Sequence, residues 1–85
     1  MSVRYKAGSF EYGGGFARSI LREKVTGDEQ ILLANINKTY SSPDDAAILA
    51  KTDIEQSLAY AQNGKFQSID HALSAMGYQQ IVEES

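Results

Sequence analysis

The chain has 85 residues, 42% of them apolar and 22% charged, with a formal net charge of −3 and no cysteine. This is the balance of one small globular domain; it excludes disulfides, thiolate metal sites and a cysteine nucleophile, and it argues against non-specific binding to a nucleic-acid backbone. The longest apolar run, Ile31-Leu32-Leu33-Ala34, is far short of a membrane span, and MSVRYKAG lacks the apolar stretch of a signal peptide, so no membrane partner and a cytoplasmic location are expected.

The charge is uneven. Residues 1–24 carry five cations against two acids, and residues 25–85 carry three lysines against nine acids. A basic N-terminal part on an acidic body suits either an external anion or acidic partner, or charge complementarity within or between subunits.

In chain order, Val3, Tyr5 and Ala7 alternate with Arg4 and Lys6, and Gly8-Ser9 suits a two-residue hairpin turn before Phe10-Glu11-Tyr12. A short β-hairpin or arm with an aromatic face is expected over residues 1–13. From Phe16 to Val25 the spacing of Ala17, Leu21 and Val25 predicts a helix, broken at Thr26-Gly27-Asp28, with Gly27 as a helix stop and Asp28 as the next cap. Glu29–Tyr40 places Leu32, Leu33, Ile36 and Tyr40 at helical spacing, although Ile31-Leu33 and Leu32-Ala34-Ile36 also fit a strand. Residues 16–40 are thus expected to be helical segments.

Ser41-Ser42-Pro43-Asp44-Asp45 is the clearest local signal: a capping hydroxyl at Ser42, proline at the first helical position, then two acids at the positive end of the dipole. It predicts a helix over 43–62, ended by Asn63-Gly64, with Ala47, Ala50, Ile54, Leu58 and Ala61 on one face. That alanine-rich face would let a partner helix approach closely. A last helix is predicted over 68–76, with Ser68 as N-cap, Ile69, Ala72, Leu73 and Met76 inward, Gly77 after its end and Tyr78 closing it; QQIVEES is a polar tail that frays. The expected fold is one mainly α domain, a helical hairpin or small bundle with a short N-terminal β-hairpin; the alternative is α+β.

Chemistry is sparse. Gly13-Gly14-Gly15 running into a presumed helix with Arg18 and Arg22 could cradle an anion on free N–H groups, but it matches neither the phosphate-loop nor the dinucleotide pattern, and a joint between hairpin and helix is the simpler reading. His71 is the only histidine and has no ligand or triad spacing around it; Asp53 and Glu55 are two apart on a helix and diverge. No catalytic group, metal site or cofactor is assigned. Tyr5, Phe10, Tyr12 and Phe16 among Arg and Lys suit base stacking, protein anchoring or core packing.

One segment, Lys51-Thr52-Asp53-Ile54-Glu55-Gln56-Ser57-Leu58 within residues 47–58, resembles the second hairpin helix of the phage anti-CBASS cyclic-nucleotide sponges. The resemblance implies a helical hairpin assembled as a hexamer that sequesters cyclic oligonucleotides without catalysis. The sequence departs from that pattern at Asp45 and Ala46, and by the further helix from Ser68. The expected ligand-binding set is Tyr12, Gly14, Gly15, Arg18 and Arg22, with Thr52 from the resemblance. The leading expectation is a small non-enzymatic regulatory protein, phage or bacterial, a homo-oligomer that binds a protein partner in the manner of an inhibitor or antitoxin; the alternative is the cyclic-nucleotide sponge.

Overall fold

The structure is a computed structural model and describes residues 3–27 and 29–81. Its elements are β1 (Val3–Tyr12), β2 (Gly15–Lys24), β3 (Gln30–Tyr40), α1 (Pro43–Gln62), α2 (Ile69–Ala75) and β4 (Gln79–Gln80). The strands form one antiparallel sheet in the order β1-β2-β3-β4. The fold is therefore α+β and not mainly α: the two segments expected as helices within 16–40 are both strands.

The reason lies in how β2 spends its residues. Successive side chains of a strand alternate between faces. Phe16, Arg18, Ile20 and Arg22 fall on one face of β2, and Ala17, Ser19, Leu21 and Glu23 on the other. Apolar and polar residues share both faces, so the alternation is invisible in the sequence, whereas a spacing of four through Ala17 and Leu21 mimics a helix. In β3, Ile31, Leu33 and Asn35 share one face and Leu32, Ala34 and Ile36 the other, an apolar pair of faces that a helix pattern also fits.

The β1–β2 turn also differs from expectation. It sits at Gly13-Gly14, not Gly8-Ser9: Tyr12 pairs with Gly15, and Gly13 and Gly14 have φ of 59° and 84°. Positive φ at both central residues is what a tight hairpin loop with the right twist requires, and two adjacent glycines meet it without strain. Gly8 continues the strand opposite Ser19. This splits the expected aromatic face: Tyr5 points to the helices, while Phe10 and Tyr12, stacked with centroids 6.3 Å apart, belong to the opposite face. The β2–β3 loop turns at Gly27, φ 80°, as part of a hairpin and not as a helix stop. The expected cap at Asp28 and the last four residues of the expected tail lie outside the described residues; the start of that tail is ordered and not frayed, since Gln79 and Gln80 pair with β3 as β4 and the Ile81 N–H donates to Leu32 O at 2.8 Å.

Both helices have the bounds that their caps mark. Ser42 Oγ accepts from the Asp44 N–H at 3.2 Å, and Ser68 Oγ accepts from the His71 N–H at 3.1 Å. At the ends, the Lys65 N–H donates to Tyr60 O at 2.9 Å past Gly64, and the Tyr78 N–H donates to Leu73 O at 3.1 Å past Gly77, the glycine-terminated closure that satisfies free helix carbonyls. Gly77 is required twice over: its φ is 108°, and a Cβ there would lie 2.7 Å from Asn37 Nδ2.

α1 buries its small residues against both the sheet and α2, with Ala50 in one cluster with Ile20 of β2 and Leu73 of α2. Ala46, Ala50 and Ser57 are buried and Ile54 packs on the core, while Leu58, expected inward, is exposed. The core is Ile20, Ala50, Leu73 and Tyr78, with Tyr5, Ala7, Leu33, Ile54, Ile69 and Met76 around it. Buried Asn35 holds the irregular end of β3 to α2, donating to Met76 O at 3.1 Å and accepting from the Asn37 N–H at 3.2 Å. Among the described residues no helix is long and apolar enough to cross a membrane.

The hairpin geometry predicts that Gly14→Ala, forced to positive φ, destabilises the protein by about 1–2 kcal/mol, read as a lower urea midpoint at unchanged slope.

Candidate functional site

The six residues expected to bind ligand are distributed over three places. Tyr12, Gly14 and Gly15 line a concavity of about 370 Å³ with Glu11, Gly13 and Phe16 at the β1–β2 turn. It is a hairpin tip, so the row of free N–H groups that a helix start would supply is not there. Thr52 is exposed on α1, and its Oγ1 donates to Ile48 O at 3.2 Å. Arg18 and Arg22 leave β2 on the helix face and are committed to acids of the helical layer.

Arg18 Nη1 lies 2.7 Å from Asp53 Oδ2, and the Tyr78 hydroxyl donates to the same oxygen at 2.6 Å. The guanidinium carbon stands 5.8 Å from the centre of the Tyr78 ring. The side chains of Arg18 and Asp53 are only 19% and 13% exposed, so water screens the pair little. Burial, reinforced by the hydrogen bond to Asp53, pushes the Tyr78 phenol well above its ordinary range.

Arg22 repeats the arrangement one turn of the sheet pattern further on, in a wetter setting. Its Nε lies 3.1 Å from Asp70 Oδ2, and the Tyr5 hydroxyl donates to Asp70 Oδ1 at 2.8 Å. The Nε–H is not aimed at the carboxylate and has no hydrogen-bond partner, so this contact is an ion pair by distance only. Asp70 is 45% exposed. Desolvation, then Asp70, raises the Tyr5 phenol. Arg22 and Asp70 also border a cleft of about 450 Å³ floored by Ile31, Leu33 and Leu73 and closed by Tyr78 and β4.

A third charged group sits on the face away from the helices. Glu23 is buried and accepts from Gln30 Nε2 at 2.9 Å, while Arg4 and Lys6 each stand 3.2 Å from its Oε1. The Gln30 bond, then Lys6, holds its carboxyl below the usual range. That contribution is present at neutral pH and is lost as acid protonates the group.

His71 is exposed, edge-on to Phe66 with centroids 5.5 Å apart. Among the described residues no group of three or more His, Asp or Glu is placed to hold a metal.

What sequence reasoning missed is the surface of α1. Ile48 is 64% exposed, and Leu49 beside it 38%. With Tyr40 and Asp45 they line a cleft of about 350 Å³. The signal was present: Ile48 falls on the side of the helix opposite Ala50, Ile54 and Ser57, where a helix covering a sheet has no use for an isoleucine.

Comparison with known proteins brings no family model, curated relative or solved structure that matches the chain.

Removing Asp53 strands a cation and a phenol in a dry setting. Asp53→Ala is expected to cost about 3 kcal/mol, whereas Asp70→Ala, in its exposed setting, costs less than about 1 kcal/mol; urea unfolding of the two variants checks the order. The tyrosines set the alkaline limit. In the unfolded chain a phenol ionises near pH 10, while folded Tyr78 keeps its proton. Stability is therefore full below about pH 10 and falls as pH rises above it. Tyr78→Phe is expected to remove most of that slope in unfolding curves taken from neutral to alkaline pH.

Proposed function

We propose that this protein is a small non-enzymatic binding protein of the regulatory kind, an inhibitor or antitoxin type of phage or bacterial origin. It acts in the cytoplasm through contact with another protein and assembles with itself. The observation that carries the reading is the Tyr40–Ile48–Leu49 cleft on α1. A contiguous apolar surface on a chain this small has a solvation cost that a bound partner removes. Its polar edge is Asp45, exposed beside Asp44 and in no ion pair of the described residues. The partner that fits presents an apolar side chain to the cleft and a basic or amide donor to Asp45.

This surface is also separate from what holds the fold together. Arg18, Asp53 and Tyr78, and more loosely Arg22, Asp70 and Tyr5, are paired with one another within the chain. Ile48, the most exposed large apolar side chain among the described residues, contributes to no core cluster. Such a division suits a protein whose surface can be specialised for a partner without loss of fold.

The expected outcome is that a partner captured from the native host by the wild-type chain binds Ile48→Asp at least about tenfold more weakly, with the far-UV spectrum and melting temperature of the variant unchanged. Val25→Asp, an equally drastic change at an exposed apolar residue on the β2–β3 loop, is expected to leave affinity intact. Equal affinity of the wild-type chain and Ile48→Asp for every captured protein, or substrate turnover lost on mutating one polar residue, would overturn the reading.

A further inference from the structure

β1 is the first strand of the sheet and pairs on one side only. Its ten residues, Val3–Tyr12, contain no proline, and their register with β2 runs without a bulge. An edge of this length is normally guarded by charge, proline, a bulge or a covering element. The two cations that would guard it, Arg4 and Lys6, are drawn back over the sheet to Glu23 on β2.

The sequence of this edge is complementary to its own reverse. On the face away from the helices, β1 carries Arg4 and Lys6 in its first half, and Phe10 and Tyr12, stacked on each other, in its second. Gly8 stands at the midpoint. We propose that β1 pairs antiparallel with β1 of a second copy, about a two-fold axis normal to the sheet and midway between the two Gly8 residues, to make one continuous eight-stranded sheet. This deepens the self-association in the proposed function and rests on it.

The pairing follows from geometry. An antiparallel pair about such an axis keeps both faces continuous, and with Gly8 against Gly8 it sets Lys6 opposite Phe10 and Arg4 opposite Tyr12 of the other copy. With their heads held on Glu23, each protomer thus sets the aliphatic stems of Lys6 and Arg4 against two aromatic rings of the other and receives the same in return. A foreign extended peptide would need that basic-then-aromatic order by chance; a second copy has it by identity.

The hydrogen bonding required is available. Tyr12 and Gly15 flank a two-residue loop and form the bonded pair next to it, so even-numbered residues of β1 bond to β2 and odd-numbered ones point their N–H outward. Ser9→Pro therefore removes an outward donor without touching the β1–β2 ladder. The full-length protein is expected to sediment as a concentration-dependent dimer between micromolar and millimolar, and Ser9→Pro to raise its dissociation constant about tenfold or more. The chain contains no cysteine, so Gly8→Cys gives a second, independent readout. Mild oxidation is expected to link it covalently as a dimer, and to leave Thr52→Cys on α1 largely monomeric. A wild-type chain that is monomeric throughout this range overturns both the interface and the self-association. A dimer that Ser9→Pro leaves intact and Gly8→Cys does not cross-link overturns the interface alone. Should Ser9→Pro fail to fold, the cysteine experiment decides.

Discussion

One carboxylate oxygen, Asp53 Oδ2, joins the three parts of the molecule. β2 reaches it through Arg18, α1 carries it at mid-helix, and the chain leaving α2 returns to it through Tyr78. Among the described residues the buried apolar cluster between sheet and helices is small, formed by Ile20, Ala50, Leu73 and that same tyrosine. A core of this size fixes the distance between sheet and helices but not their angle or register. The Arg18–Asp53–Tyr78 contact supplies direction, because a guanidinium, a carboxylate and a phenol accept only a narrow set of arrangements. The Arg22–Asp70–Tyr5 group repeats the device toward α2 with looser geometry. The two arginines, four residues apart on β2, thus orient both helices.

This also explains the charge asymmetry of the chain. The basic N-terminal part and the acidic remainder face each other across the sheet–helix interface, at Arg18–Asp53 and Arg22–Asp70. Of the two readings open to the sequence, complementarity within the chain accounts for both Arg18 and Arg22. What remains at the surface is of another kind: the apolar cleft at Tyr40, Ile48 and Leu49, and the unpaired side of β1.

The parts legible in the sequence were those written in local chemistry. Ser42-Pro43-Asp44-Asp45, Asn63-Gly64, Ser68 and Gly77 each act on backbone groups a few residues away, so their meaning does not depend on the rest of the fold. The strands were not legible because their pattern depends on distant partners. Arg18 and Arg22 look like the polar side of a helix until acids thirty-five and forty-eight residues later make them interior groups. Glu23 looks like a surface residue until Gln30, Arg4 and Lys6 enclose it. The glycine run reads in the sequence as an anion cradle or a joint before a helix, whereas its use in the fold is positive φ at Gly13 and Gly14 in a hairpin turn. For the candidate site, the arginines are conspicuous in the sequence and their partners are not, while Ile48 is legible only as an apolar residue opposite the inward face of α1.

β3 and β4 are antiparallel neighbours, and the Ile81 N–H donates to Leu32 O at 2.8 Å to extend their pairing. Everything between them, α1 and α2 included, is in topological terms an enlarged hairpin loop. The sheet on its own is a plain meander, with each strand beside its predecessor and no crossover whose handedness must be chosen. The helical layer is then an excursion that folds back over the strands already laid down. The order of strands in such a fold does not depend on the length of the helical excursion, so the surface proposed for binding on α1 is carried by a segment that the connectivity of the sheet leaves unconstrained.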